Sequence, residues 1–465
     1  MEAHNESDKS FLNMRVVYMT NCALSKKYYL QISNFAVIIR LMQISKPKFH
    51  KVLSAFLFFS IFFSAWGVSK GYALEKDAFF YLLDGQFLGG YSKIIGKDGI
   101  ASTDDSWSIS PNVKIIKDVL YWINIYNGSY NRSSQVTPQE EGGQQTESTQ
   151  SHTLTTALKY FINKNWSIRP LFFTDWVFIN ETEDETFGNG LYDYRDIGGG
   201  LESTWVLHSD KTGQDQLVAG FRSFDRSYPN YTSLLSQFDT RAQVTEEHEK
   251  DLTGYKYTLG YENQHPGQWS WGIEEILLYK DFHDKRTIAQ NGVRSQDDRR
   301  QDYENYLNLY IGHPLNSVWR WRLDGQVSFN LSNLDFYDTH NTTTLSDDTF
   351  ISGYFDYTSF MVGPSLTYEK EIAKDKNLIV TGAYAFSPVF YSSRKVQNAA
   401  GIYQDENETD YIHTFSGQVS FPLTKYVSWV TKGSYTIADS NQEYEAFYLY
   451  SYDSWSALTG FSLKY

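Results

Sequence analysis

The 465 residues carry 41 Lys/Arg against 55 Asp/Glu, a formal net charge of −14; 21% of the residues are charged, 17% are aromatic, and the mean hydropathy is negative. So acidic a chain repels nucleic acid and excludes it as a partner, and a lone cysteine, Cys22, excludes a disulfide scaffold. Abundant aromatics in a chain that is polar on average suit either a transmembrane barrel, whose strands face water on one side, or a large secreted β-protein with carbohydrate-binding rings.

Residues 1–41 read as a leader or a mis-called start. Residues 42–73 read as a secretory signal peptide: Lys46, Lys48 and Lys51 precede the apolar run Val52 to Val68, and Gly71-Tyr72-Ala73 supplies small residues for cleavage after Ala73. A membrane anchor is the competing reading of that run. Removal of residues 1–73 takes away nine Lys/Arg and three Asp/Glu, leaving 32 basic and 52 acidic residues, and it also removes Cys22.

Residues 74–465 read as strands joined by alternately short and long connections. Phe80–Ile95, Trp107–Ile116, Leu120–Arg132, Leu154–Asn163, Trp166–Ile179, Leu191–Leu207, Gln216–Phe224 and Asp251–Asn263 form the first half. The second half is Trp269–Phe282, Tyr303–Ile311, Val318–Leu331, Gly353–Lys370, Leu378–Tyr391, Tyr411–Phe421, Tyr426–Ile437 and the last stretch to Tyr465. Long polar loops are expected at Ser133–Gln150, Asn180–Asn189, Asp225–Glu249, between Phe282 and Gln301, and at Asn333–Thr349, Ser392–Glu408 and Ala438–Leu449. The pattern predicts an all-β fold, a transmembrane antiparallel up-and-down β-barrel of about 16 strands (14 to 18) with both ends of the ladder on one side.

Trp319, Trp321, Leu323, Gly325, Val327, Phe329 and Leu331 share one face of their strand, opposite Arg320, Arg322, Asp324, Gln326, Ser328 and Asn330. That predicts a lipid stripe backed by a charged lumen, with Lys159, Glu304, Arg320, Arg322 and Asp324 as pore-lining candidates; ordinary solvated wall residues are the competing reading. The Trp269–Phe282 strand loses its alternation at Glu274-Glu275, which suggests a bulge or a rim crossing. Gly198-Gly199-Gly200 marks a close backbone approach or a bulge. The ten histidines show no metal-ligand spacing, and no nucleophile motif, P-loop or dinucleotide fingerprint is present, so neither a cofactor nor an enzyme activity is expected. His413, on a predicted lipid face, is expected at an interface. The acidic stretches Glu181–Glu185, Glu246–Asp251, Asp347-Asp348 and Asp405–Asp410 read as a solvated negative surface or as carboxylates for divalent cations that bridge lipopolysaccharide.

In the final stretch Trp455, Ala457, Thr459, Phe461, Leu463 and Tyr465 alternate with polar or small residues. This resembles the C-terminal strand of bacterial outer-membrane β-barrel proteins. The resemblance implies that Trp455, Phe461, Leu463 and Tyr465 form an assembly signal for the barrel assembly machinery, that the protein lies in the outer membrane among lipid and lipopolysaccharide, and that short turns face the periplasm. Porin-like diffusion of small solutes is then the expected function, and a non-conducting receptor, adhesin or export partner is the alternative. The chain lacks the Pro-Glu-Phe-Gly-Gly constriction signature of trimeric porins, so the loop Asp225–Glu249 is expected to narrow any channel instead.

Overall fold

Strict alternation gives each segment one face for each side of a sheet, and 16 such segments close on themselves. The computed structural model describes residues 78–139, 142–181, 185–210, 213–231, 248–265, 267–338, 349–445 and 449–465; the expected leader and signal peptide, residues 1–73, lie outside these. The strands are β1 (Phe79–Ile94), β2 (Ile100–Ile116), β3 (Leu120–Gln139), β4 (Gly142–Asn163), β5 (Trp166–Asn180), β6 (Tyr194–Ser209), β7 (Gln214–Ser227), β8 (Leu252–Gln264) and β9 (Ser270–Ile288). They continue as β10 (Arg294–Pro314), β11 (Trp319–Ser332), β12 (Phe336–Asp338), β13 (Thr349–Ile351), β14 (Tyr357–Ala373), β15 (Lys376–Gln397), β16 (Tyr403–Pro422), β17 (Val427–Ser440) and β18 (Tyr452–Lys464).

Every barrel strand pairs antiparallel with its chain neighbours, and β1 pairs with β18 from Asp84↔Lys464 to Ile94↔Ser454. Leu83 and Tyr465 exchange both backbone hydrogen bonds, at 2.9 and 2.8 Å. Closure leaves no free edge, so the last strand carries no exposed ladder. Seven tight turns lie at the lower end, where β1 begins and β18 ends. Two of them place Asp118 and Asp375 at φ 59°, a left-handed conformation that aspartate tolerates in hairpin turns.

The upper end departs from the expected loops in an informative way. β3 and β4 run on to Gln139 and from Gly142, β9 and β10 to Ile288 and from Arg294, and β15 and β16 to Gln397 and from Tyr403. Three expected long loops, Ser133–Gln150, the stretch before Gln301 and Ser392–Glu408, are therefore largely strand. Above a membrane both faces of a hairpin meet water, so pairing continues while alternation disappears. The expected bulge at Glu274-Glu275 is also absent. β9 stays in register with β10 from Gln301↔Asp281 to Gly312↔Ser270 and with β8 throughout, so Glu274 faces inward and Glu275 outward. Gly198–Gly200 likewise lies in unbroken register with β5 and β7, which leaves close approach rather than a bulge.

The connection 333–356 carries the small hairpin β12–β13 and its own apolar core of Leu334, Ile351, Tyr354 and Phe355, flanked by Ile288 and Tyr403. It packs on inward-facing groups at the upper rim. The Phe355 carbonyl accepts from Asn330 at 2.8 Å, Phe355 lies 4.9 Å from the Arg300 guanidinium, and Tyr354 lies 4.4 Å from that of Arg394. Among the described residues this connection folds against the inner rim; residues 232–247 of the expected constriction Asp225–Glu249 lie outside the described residues.

Candidate functional site

Register sorts every strand into an outward and an inward row. Outward rows are apolar: Phe172, Leu201, Phe221, Leu259, Leu277, Leu309, Leu323, Phe360 and Phe415 are all well exposed on the barrel exterior. Rings bound this belt, with Tyr255, Tyr279, Tyr303, Phe390, Tyr411 and Trp455 above, and Tyr261, Trp271, Trp321, Tyr368 and Trp429 below. A continuous exposed apolar band between two aromatic girdles, on a closed barrel with a polar inside, is stable only in a bilayer. The chain is an outer-membrane β-barrel. The tight lower turns then face the periplasm, and the upper connections face outside.

The inner wall of the barrel divides in two. From β4 to β11 it carries ion pairs beside an apolar patch of Ala157, Leu171 and Phe173. Glu202 on β6 accepts from Arg169 on β5 and, at 2.9 Å, from Arg222 on β7, so one carboxylate clamps three strands. Asp196 takes both nitrogens of the Arg226 fork at 2.8 and 2.7 Å, and Lys280 pairs with Glu304. Glu262 accepts from Gln216 at 2.8 Å and Tyr310 at 3.1 Å, and Glu274 accepts from Asn308 at 3.2 Å. From β14 round to β2 the wall is mostly Ser, Thr, Ala and Gly. Hydroxyls pair across strands there: Thr367 with Thr381 at 3.1 Å, Thr414 with Thr436 at 3.3 Å, Ser434 with Ser456 at 2.8 Å, and Ser92 with Ser102 at 2.5 Å. Lys432 crosses this half, reaching over Leu458 and Gly90 to Asp104, at 2.9 Å, inside the β18–β1 seam, and Lys464 faces Asp84 at 3.9 Å at its lower end.

Long side chains on the charged half lie flat along the wall because glycines sit beneath them. The Phe224 ring fills the space that a Cβ on Gly254 would take, Arg222 that of Gly200, and the Tyr310 ring that of Gly272. A side chain laid sideways narrows the lumen less than one pointing at the axis.

All five sequence-derived wall residues face the lumen. Lys159 lies 5.0 Å from the Phe161 ring in the row that continues to Arg169. Glu304 holds Lys280 and accepts from the Tyr306 hydroxyl at 2.8 Å. Arg320 pairs with Glu369 near the periplasmic turn, and Arg322 holds Asp324 at 2.6 Å while lying 4.2 Å from the Tyr310 ring. Four of these five stand on the adjacent strands β10 and β11, and Lys159 lies apart on β4. Sequence reading missed Arg169, Glu202 and Arg222, which gather on one carboxylate, and the Arg226–Asp196 pair; their alternation with Phe172, Leu201 and Phe221 was the available signal. On β18, Trp455 packs on Tyr91 at 5.6 Å, Tyr465 stacks between Tyr81 and Tyr426 at 5.5 and 5.1 Å, and Phe461 and Tyr465 are exposed outward. Outward-facing His413 shares a 2.8 Å hydrogen bond with the Tyr384 hydroxyl and stacks on Phe386, an interfacial setting.

At the external rim, beyond the Tyr411–Phe390 girdle, Arg394 is held between the Tyr391 and Tyr354 rings at 3.9 and 4.4 Å and faces Glu408 at 3.6 Å. Glu408, 1% exposed, also accepts from Gln442 at 3.1 Å. Burial outweighs the nearby Arg394 cation and pushes the Glu408 carboxyl up to about 7; burial also raises Asp410.

No protein-family model matches the chain, and a search of curated proteins finds no match. Among solved structures, OprB of Pseudomonas putida is similar at 10% identity and a TM-score of 0.44, over 83% of this chain and 94% of that one. A bacterial polysaccharide outer membrane secretin aligns at 8% identity and 0.42, over 83% and 98%. OmpT, an outer membrane protein of Vibrio cholerae, aligns at 10% identity and 0.39, over 84% and 100%. At such values the assignment to the outer membrane rests on this chain's own closed belt and polar lumen.

Proposed function

We propose that the barrel is a diffusion pore for small hydrophilic solutes across the outer membrane. The observation that carries this is the lumen wall, lined by ion pairs from β5 to β11 and by hydroxyls from β14 to β2, with one apolar patch at Ala157, Leu171 and Phe173 and with long side chains laid flat over glycines. Sixteen strands give a circumference that accommodates a water-filled channel. Lys159, Glu304, Arg320, Arg322 and Asp324 line the path and set its field, and the connection 333–356 narrows the external mouth. Trp455, Phe461, Leu463 and Tyr465 act as the signal read by the barrel assembly machinery, and the acidic external stretches meet lipopolysaccharide through divalent cations. Purified mature protein in a planar bilayer is expected to show stable open steps. Complete silence overturns the pore and favours a receptor, adhesin or export partner working through its external surface. One observation suits that second reading: Ile95, Val293 and Ile402, at the tips of three external hairpins, are 54%, 60% and 59% exposed.

A further inference from the structure

Glu275 is a carboxylate on the apolar exterior of the belt. Glu275 lies on β9 midway between Trp271 in the lower girdle and Tyr279 in the upper, four residues or about 13 Å along the strand from each. Its neighbours in the pairing rows are Leu259 and Leu307, and Ile273 and Leu277 flank it along the strand. The side chain is exposed. Asp105 on β2 also stands on an outward row, opposite Phe87, but it accepts from the Leu88 backbone N–H at 3.1 Å; Glu275 is the charged outward residue on β8, β9 and β10 between the girdles. One carboxylate oxygen accepts from Asn305 at 3.1 Å, and the other has no hydrogen-bond donor. A single diagonal step away on β8, Tyr257 is 52% exposed, and its hydroxyl has no hydrogen-bond acceptor. An ionised group at mid-belt is unfavourable against hydrocarbon, which offers it no donor. The structure leaves an acceptor and a donor unmatched on one flat apolar face.

We infer that the β8–β10 face packs against a second copy of this chain, the Tyr257 hydroxyl of each copy donating to Glu275 of the other. Two copies in one membrane share an orientation, so the two-fold axis relating them runs along the membrane normal and preserves depth. Such an axis brings each acceptor to the other copy's donor, as an isologous contact requires. A tyrosine side chain spans the two-residue offset, about 6.6 Å along the strand. Leu259 and Leu277 then lie nearest the axis and seal the contact from lipid. Acyl chains fit the same apolar face but satisfy neither polar group, and the outward rows of β8, β9 and β10 between the girdles hold no Lys or Arg.

The lone Cys22 makes a clean test possible. In a Cys22→Ser background, Leu277→Cys is expected to give a disulfide-linked band of twice the monomer mass when outer membranes are oxidised with copper phenanthroline. Phe87→Cys, outward on β1 eight strands round the barrel, is expected to give none. Adding Glu275→Leu or Tyr257→Phe to Leu277→Cys removes both hydrogen bonds of the isologous contact and lowers the dimer yield by about a hundredfold, roughly tenfold for each bond to a charged group. Leucine suits lipid, so barrel folding, read from faster migration before boiling, is retained in Glu275→Leu. Absence of the Leu277→Cys dimer, a product of some other mass, or a yield indifferent to Glu275→Leu each overturns the inference. None of these readouts depends on conductance.

Discussion

The two halves of the lumen wall solve the same problem by different means. Between β4 and β11 ions are bound to one another across strands, as Glu202 binds Arg169 and Arg222; between β14 and β2 neutral hydroxyls pair across strands, as Ser434 pairs with Ser456. Both satisfy polar groups that would otherwise be left at a partly dry wall. They differ in what happens when one partner goes. A lost hydroxyl leaves a neutral group that water can serve, whereas a lost carboxylate leaves two cations side by side. The charged half is therefore brittle and carries the field, and the hydroxyl half is tolerant and nearly neutral.

The largest expected effect tests the brittle side. Glu202 is 13% exposed, and its arginines are 22% and 21% exposed, so solvent screens the cluster in part. Glu202→Ala is expected to destabilise the barrel by about 2–3 kcal/mol, at the lower end for breaking a buried pair. Urea unfolding in detergent, followed by loss of the fast-migrating form, measures it. A change below that of a hydroxyl deletion on the other half would erase the contrast.

Next comes the external rim, where an ion cluster stands on β15 and β16, strands whose membrane portion belongs to the hydroxyl half. The Glu408 carboxyl titrates at about 7 in the fold against an ordinary 4.5, so the folded state holds a proton that the unfolded chain has released. Its contribution is most favourable below about 4.5 and is lost as pH rises through about 7. Stability is then expected to be greater at pH 5.5 than at pH 7.5 by about 2 kcal/mol from this group, with raised Asp410 adding in the same direction. Glu408→Gln should flatten the dependence. An undiminished slope in that variant would place its origin elsewhere.

Legibility followed the membrane. Between the girdles one face meets lipid and the other water, and there the period of two located every strand, as with Trp319–Leu331 and its inward Arg320, Arg322 and Asp324. Above the girdle that contrast ends. Residues 283–288, 294–302, 392–397 and 403–409 are polar on both faces, so they read as loops although their backbones stay paired. The pairing of charges was unreadable for another reason: Glu202 meets Arg169 and Arg222 only through the register of three strands, which no single strand records. Glu275 shows the reverse case. Its broken alternation was visible in the sequence, and register shows that the break is an outward carboxylate rather than a bulge.

A smaller effect concerns the field. Lys159→Ala removes a lumen cation from the charged half, and a unit charge about 8 Å from a permeating ion in water is worth about 0.5 kcal/mol, roughly a factor of two. The reversal potential in a KCl gradient is expected to move toward cations by that factor in permeability ratio. The shift should shrink at high salt, where screening shortens the reach of the charge. An unmoved potential would mean that ions pass along the hydroxyl wall, out of range of Lys159.

The smallest effect bears on the tolerant half. Ser434→Ala leaves the Ser456 hydroxyl beside the lumen, where water replaces the lost 2.8 Å partner, so the net cost is about 0.5 kcal/mol. Selectivity should not move, because no charge changes. Ser434→Val adds apolar surface without restoring a donor, and water cannot serve Ser456 as readily beside it, so a cost nearer 1 kcal/mol is expected. If Ser434→Ala instead costs as much as Glu202→Ala, the paired hydroxyls of β14 to β2 act as a cooperative network rather than as independent pairs. A double-mutant cycle between Ser434 and Thr414 decides it: additive losses keep the pairs independent, and a coupling well above the single costs makes this wall as brittle as the charged one.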